Sequence, residues 1–250
     1  MTFRIADSFT AALAKLSGPE QTAAKAAATD LQINPENPGL SMHRVDRGRD
    51  KHFWTARVNR DLRLVLHRKD GATLLAYVGH HDDAYRWAER RRIERHPRTG
   101  AMQIVEIRET VEDVVIQRYV EEAVRKPRLF ADEEDETLLS WGVPEDWLET
   151  VREVTEDTLL DIAAHLPAEA GEALLAAATG TRPEVAPTDA ADPYAHPDAA
   201  RRFRVVSDEA ELAAALEAPW ERWTVFLHPA QRAFVERDFK GPARVIGAAG

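Results

Sequence analysis

Cysteine is absent from this 250-residue chain, which removes a disulfide framework, any cysteine-bearing zinc site and thiol catalysis. Long apolar runs are missing too. Nothing approaches the roughly 20 residues that a bilayer-spanning helix needs. The opening Met1-Thr2-Phe3-Arg4-Ile5 passes directly into polar residues with no apolar secretory segment. A cytoplasmic protein with no membrane partner is the expectation. What remains, 44% hydrophobic and 30% charged residues, is the composition of a globular chain long enough for one large domain or two ordinary ones.

Negative charge is scarce at the front and abundant behind it. Residues 1–100 hold 18 Lys/Arg against 12 Asp/Glu and the rest holds 15 against 31, so the formal net charge of −10 conceals a basic module followed by an acidic one. A basic module attracts phosphate backbones; an acidic one repels them and suits a spacer or a docking surface.

The front module alternates in a readable way. A short strand at Phe3–Ala6 precedes two helical stretches, Ser8–Leu16 and Pro19–Ile33, with Ser8 and Ser17 placed as helix-starting residues. Four segments of strand character follow, Ser41–Val45, His52–Val58, Leu62–Arg68 and Thr73–Val78, divided by "DRGRD", "NRD" and "KDG". The last two dividers are short enough for hairpins, which predicts an antiparallel meander. "LRLVLHR" sets Leu62, Leu64 and Leu66 on one face and Arg63, Val65 and His67 on the other, so one face should pack on the helices while the other shows basic groups. From "HHDDAYRWAERRRIERHPR" the chain is expected to return to helix, with Arg90, Arg91 and Arg92 spread around its axis.

After Gly100 the pattern changes. "AMQIVEIRETVEDVVIQ" suits a strand or short helix, "ADEEDE" a solvated loop, and "GVPEDWLETVREVTEDTLLDIAAHLPAEAGEALLAAATG" a few helices broken by Pro144 and Pro167 and stopped by Gly180. "TRPEVAPTDAADPYAHPDAA" has the composition of a linker. "RRFRVV" then reads as a strand, "SDEAELAAALEAP" as a capped helix, and "HPAQRAFVERDF" as a second helix leading to the buried strand "RVIGA". Trp141, Trp147, Trp220 and Trp223 fall where helical apolar stripes need core residues; base stacking is the rival role for them.

From Gly247 the chain supplies "GAAG", the first four positions of a phosphate loop whose later Lys and hydroxyl residue would neutralise phosphate and hold Mg²⁺. Upstream, "FLHPAQRAFVERDFKGPARVIGAAG" resembles the start of the motor core of superfamily 1 DNA helicases of the UvrD/Rep/PcrA kind. Leu227 and Gln231 match that family's Q motif. The resemblance implies a Gln231 carboxamide that reads adenine, a phosphate cradle at Gly247, Ala248, Ala249 and Gly250, ATP and Mg²⁺ as cofactors of the intact protein, and single-stranded DNA as its partner. For the 250 residues alone no cofactor and negligible ATP hydrolysis are expected, and the chain is read as the N-terminal piece of a longer protein.

The strand–helix–helix–meander order together with "DLRLVLHRKDGATLLAYVGHHDDAYRWAERR" resembles the RelE/ParE toxin superfamily over residues 1–95. By position Arg63 matches the family's strand arginine, His80 and His81 stand where it has basic residues, and Tyr85 matches its aromatic hydroxyl; the lysine-rich strand of active members is replaced by "KHFWTARVN". The resemblance implies Arg63, His81 and Tyr85 as catalytic residues if the module is a nuclease, and Arg57, Arg63 and His67 as nucleic-acid contacts. The bland alternatives are a solubilising sheet face for the arginines and a helix-start pair bonded to Asp82 and Asp83 for the histidines. No metal site is expected, because adjacent side chains of a helix diverge.

The fold class expected is therefore α+β: a RelE/ParE-like antiparallel sheet with two N-terminal helices over 1–98, a mainly helical connector over 99–180, a linker over 181–202, and the start of a P-loop α/β motor domain over 203–250. Its function is expected to be that of an N-terminal fragment of an ATP-dependent, 3′–5′ DNA helicase. In it the RelE-like module would bind nucleic acid or a partner such as the ribosome. The alternatives are a metal-independent endoribonuclease and a non-catalytic protein scaffold.

Overall fold

The structure is a computed structural model that describes residues 2–107, 126–183 and 192–217. Leu227, Gln231, the expected phosphate loop Gly247–Gly250, Trp220 and Trp223 lie outside the described residues.

The architecture is mixed α+β, as expected. The elements run β1 (Thr2–Ala6), α1 (Asp7–Leu13), α2 (Gly18–Ile33), β2 (His43–Arg44), β3 (Phe53–Arg57), β4 (Leu62–Lys69), β5 (Ala72–His80), α3 (His81–Glu89), β6 (Arg91–Arg95) and β7 (Met102–Glu106). From residue 126 on, the described elements are α4 (Asp135–Ser140), α5 (Leu148–Arg152), α6 (Leu159–Ala163), α7 (Ala168–Ala178), α8 (Pro197–Ala200), β8 (Phe203–Val206) and α9 (Glu209–Glu217). No helix among the described residues is long and apolar enough to cross a membrane.

Six strands form one sheet in the order β2-β3-β4-β5-β1-β8, and β6 and β7 form a separate hairpin. β1 runs parallel to β5, and the other pairings within the sheet are antiparallel. The meander follows from its turns. Asp70 and Gly71 both take positive φ, 51° and 73°, the two-residue geometry that matches strand twist. At the other hairpin, Asn59 Oδ1 accepts the N–H groups of Asp61 (2.8 Å) and Leu62 (2.9 Å) and so replaces backbone pairing through the bend. Ser17 starts α2, with its N–H donating to Glu20 Oε2 at 2.9 Å. Ser8, expected to do the same for α1, lies inside that helix instead, and its hydroxyl donates to the Ala76 carbonyl at 2.7 Å, tying α1 to β5.

One face of the sheet packs on α1, α2 and α9 through Phe9, Leu31, Leu64, Leu66, Leu75 and Leu212. The opposite face, expected to stand open with basic groups on show, is largely covered. Val65, Phe53, Leu74, Ala84, Ile93 and Phe203 are buried there, brought by α3, the β6–β7 hairpin and the stretch ending in β8. The strand character of Arg91–Arg95 replaces the helix expected there. Beyond Glu89 only Ile93 is apolar, too little for a helical stripe but enough for a strand that sets Ile93 opposite Ile104.

The expected linker and motor start are also placed differently. Tyr194 stacks beneath the Arg4 guanidinium at 4.0 Å, and the Pro193 carbonyl accepts the Met102 N–H at 3.0 Å, so the described part of 181–202 is packed down. β8, expected to open the motor domain, pairs antiparallel with β1. Without it β1 would present a row of unpaired backbone groups, a cost that the pairing removes.

The helical part has its own core around Trp147, Leu138, Val151, Ile162 and Leu174. Trp147 is buried and its indole N–H donates to the Glu106 carbonyl at 3.0 Å, and Trp141 packs at the edge of the same core, so both serve packing as expected. Asp135, placed by the sequence in a solvated acidic loop, instead begins α4.

A buried polar network joins the parts. Arg202 donates to Glu169 Oε2 at 2.6 Å with each side chain 8% exposed, and the Gln103 amide donates both to Glu169 Oε1 (2.7 Å) and to the Gly142 carbonyl (3.0 Å). Asp7 N–H donates to the Arg202 carbonyl at 2.9 Å. Burial alone would raise the Glu169 carboxyl, but the Arg202 guanidinium and the Gln103 amide hold it below its ordinary value. Gly142 is required at this point: its φ is +84°, and a Cβ there would stand 2.9 Å from Glu169 Cγ. His96 is a second junction. Its Nδ1 faces the N–H groups of Arg98 and Thr99, so Nε2 carries the proton that goes to the Val143 carbonyl at 2.9 Å.

Two predictions follow from these junctions. Arg202→Met leaves Glu169 buried and unpaired and should cost about 3–5 kcal/mol in urea unfolding, while Arg202→Met with Glu169→Gln should cost clearly less; equal losses would show that the pair does not couple. Burial holds the His96 imidazole below its ordinary 6.5, so the folded state resists the proton that the unfolded state takes up. Its contribution is complete above that value and is lost as pH falls below it, so the urea midpoint should drop between about pH 7.5 and about pH 5.5, and drop less in His96→Ala.

Candidate nucleic-acid interface

The part of the covered face that stays accessible is its end at the β3–β4 hairpin. Arg57 and Arg63 sit directly opposite each other on the two strands, and Gly79 lies opposite Arg63 on β5. Both guanidinium groups fold toward the turn: Arg57 Nε donates to the Asn59 carbonyl at 3.2 Å, and Arg63 donates to the same carbonyl at 3.0 Å and to Leu62 O at 2.9 Å. Among the described residues neither meets a carboxylate. Two cations held side by side have the charge and the donors to suit an anion with more than one oxygen, such as a phosphodiester.

α3 reaches the same end of the sheet. The His81 N–H donates to the Asp61 carbonyl at 2.8 Å, which fixes the helix start against the hairpin turn. His81 Nδ1 lies 2.8 Å from Asp82 Oδ1, and its ring stands 4.8 Å from that of Tyr85. The bond to His81 holds the Asp82 carboxyl below its ordinary value, so the carboxylate orients the ring with Nδ1 protonated and Nε2 as an acceptor. One turn on, the Tyr85 hydroxyl accepts from the buried Thr55 Oγ1 at 3.0 Å, which leaves its own proton free to be donated. Thr55 lies two residues from Arg57 on the same face of β3. Arg57, Arg63, His81 and Tyr85 are thus brought to one end of the sheet.

His80 and His67 are placed otherwise. His80 precedes α3, 3.7 Å from both Glu20 and Asp61 carboxylates. His67, expected among the nucleic-acid contacts, has a side chain only 4% exposed, and its Nε2 lies 3.0 Å from Asp50 Oδ2. The physical reason is local packing: its cross-strand partner Phe53 meets the His67 ring edge-on at 5.2 Å, and the His52 ring stands 5.6 Å away.

Sequence reasoning missed Asp50. Its Oδ2 accepts the Ile93 N–H (3.0 Å) as well as facing His67, and its Oδ1 accepts the His52 N–H and faces His52 Nδ1, both at 3.0 Å. Burial works against this charge, but the His67 ring and the N–H groups of Ile93 and His52 hold the carboxyl far below its ordinary value. The only sequence signal was an acid in a basic loop, "DRGRDKH". Also unforeseen was the stack of Tyr77 on Trp87, with centroids 5.0 Å apart and Arg91 over the far ring at 4.9 Å. Tyr77 reaches it because Gly79 has no Cβ, which would stand 2.9 Å from Tyr77 Cε1.

No protein-family model matches the sequence, and no curated protein matches it. Among solved structures the chain is similar to YafQ from E. coli strain BL21(DE3), at 16% identity and a TM-score of 0.29 over 32% of this chain and 93% of that one. YafQ in the E. coli DinJ–YafQ complex gives 19% identity and the same TM-score and coverage. Likeness at this level assigns neither a fold nor an activity.

Proposed function

We propose that the N-terminal α+β module is a metal-independent endoribonuclease that engages RNA at the hairpin end of its sheet. The reading is supported above all by the convergence of an arginine couple, Arg57 and Arg63, that meets no carboxylate among the described residues, with an Asp82-oriented imidazole at His81 and a hydroxyl donor at Tyr85. The sequence resemblance of residues 1–95 to the RelE/ParE superfamily agrees with it.

Each group has a role that its bonding permits. Arg57 and Arg63 bind the scissile phosphodiester and offset the charge that grows on its oxygens during attack. His81 Nε2 takes the proton from the ribose 2′-hydroxyl as that oxygen bonds to phosphorus. Tyr85 donates its proton to the departing 5′-oxygen as the P–O bond breaks, and the products are a 2′,3′-cyclic phosphate and a free 5′-hydroxyl. No metal or redox partner enters the balance.

A second reading concerns residues 226–250. Their match to a helicase Q motif and phosphate loop, with Gln231 on adenine and Gly247, Ala248, Ala249 and Gly250 as the cradle, supports an ATP- and Mg²⁺-dependent motor acting on single-stranded DNA, to which the ribonuclease-like module would be attached. That support is in the sequence alone.

The nuclease reading predicts cleavage of RNA in EDTA with 2′,3′-cyclic phosphate ends, no cleavage of the same sequence as DNA, and a loss of about 10²–10⁴-fold in rate for His81→Ala. Arg63→Ala should weaken binding and reduce the salt slope by about 0.7 per lost phosphate contact. Salt-sensitive binding without any cleavage would replace this reading with that of a binding module, and absence of both would leave a protein scaffold.

A further inference from the structure

The cluster of Asp50, His52 and His67 lies outside the interface just described. Along β4, His67 stands four residues from Arg63, about 13 Å at the rise of a strand. One ligand atom from each of the three, a carboxylate oxygen of Asp50 and one ring nitrogen of each histidine, lies within 4.8 Å of the other two. His52 Nδ1 is 3.0 Å from Asp50 Oδ1, and His67 Nε2 is 3.0 Å from Asp50 Oδ2. Ligand atoms on a tetrahedral zinc ion are separated by about 3.3 Å, given bonds near 2.0–2.1 Å. The two carboxylate–imidazole spacings are thus already close to those of a coordination shell.

We infer that Asp50, His52 and His67 form a divalent transition-metal site of the zinc class, with one imidazole buried, one at the surface and the carboxylate between them. Three features besides spacing carry this. The Asp50 side chain is only 7% exposed and its two oxygens face one imidazole each, which places a largely buried carboxylate between the two rings. Its oxygens also accept the N–H groups of Ile93 and His52, the outer bonds that orient a ligating carboxylate. The His52 side chain is 48% exposed, which leaves an approach for the ion and room for water at a fourth position. On binding, each imidazole would present its facing nitrogen unprotonated, with the ring's proton on the other nitrogen, and the ion would stand between those nitrogens and the Asp50 carboxylate. The ion would then clamp the 46–52 loop to β4 and, through Ile93, to β6. The donor set of two imidazoles and one carboxylate suits zinc and other borderline cations over calcium or magnesium.

The test uses the full chain, loaded with Zn²⁺ and dialysed, followed by metal analysis, the visible spectrum after Co²⁺ substitution, and melting with and without Zn²⁺. About one zinc per chain, a tetrahedral cobalt spectrum and a zinc-dependent rise in melting temperature are expected. His52→Ala, a change at a half-exposed side chain, should fold as before and lose all three; Asp50→Asn should lose the bound zinc as well. Zinc retained equally by wild type and His52→Ala, or by neither, would overturn the site. RNA cleavage is unaffected by zinc under the reading above, so failure of the one proposal does not touch the other.

Discussion

A single buried ion pair, Arg202 with Glu169, decides how much of the sheet this protein can use. It joins the segment before β8 to α7, takes in Gln103 from β7, and lies against the start of α1 through the Asp7–Arg202 backbone bond. Charges this far from water are stable only when paired and further hydrogen-bonded, and here both conditions hold. Because the pair draws the β6–β7 hairpin and the 192–202 segment down onto the second face, that face becomes a core. The basic surface imagined there contracts to the hairpin end.

That contraction sharpens the chemistry. Arg57 and Arg63 stand on a two-stranded register, and α3 is fixed by its backbone bond to Asp61, so the four groups of the proposed interface are carried by regular elements. Tyr85 is further held by Thr55, and His81 by Asp82. The covered remainder of the face holds apolar side chains and His67, which is tied to Asp50 and faces protein on both sides.

Local rules made much of the meander legible. The alternation of Leu62, Leu64 and Leu66, the positive-φ pair Asp70–Gly71 and the Ser17–Glu20 cap each depend on neighbours a few residues apart, and each is found. Long-range pairing was not legible. Phe203 and Val206 of β8 are apolar enough to be buried in whichever sheet β8 joins, so nothing local says that β1 is its partner. Arg91–Arg95 has one apolar residue, and only Ile104 across the hairpin makes it a strand. The site residues divide in the same way. Arg57, Arg63, His81 and Tyr85, which the pattern singled out, stand at one end of the sheet; the burial of His67 was not legible, because it depends on how Asp50, His52 and Phe53 pack around its ring.

Within the N-terminal module, RNA is proposed to meet the sheet at its hairpin end and not along its covered centre. Hydrogen–deuterium exchange of the chain with and without a short single-stranded RNA tests it directly. The account gives new protection at residues 57–63 and 80–86, with the central strand rows of β4 and β5 and the β6–β7 hairpin unchanged. Protection spread along the centre of the sheet, or a loosening of β6 and β7 as RNA enters beneath them, would contradict it.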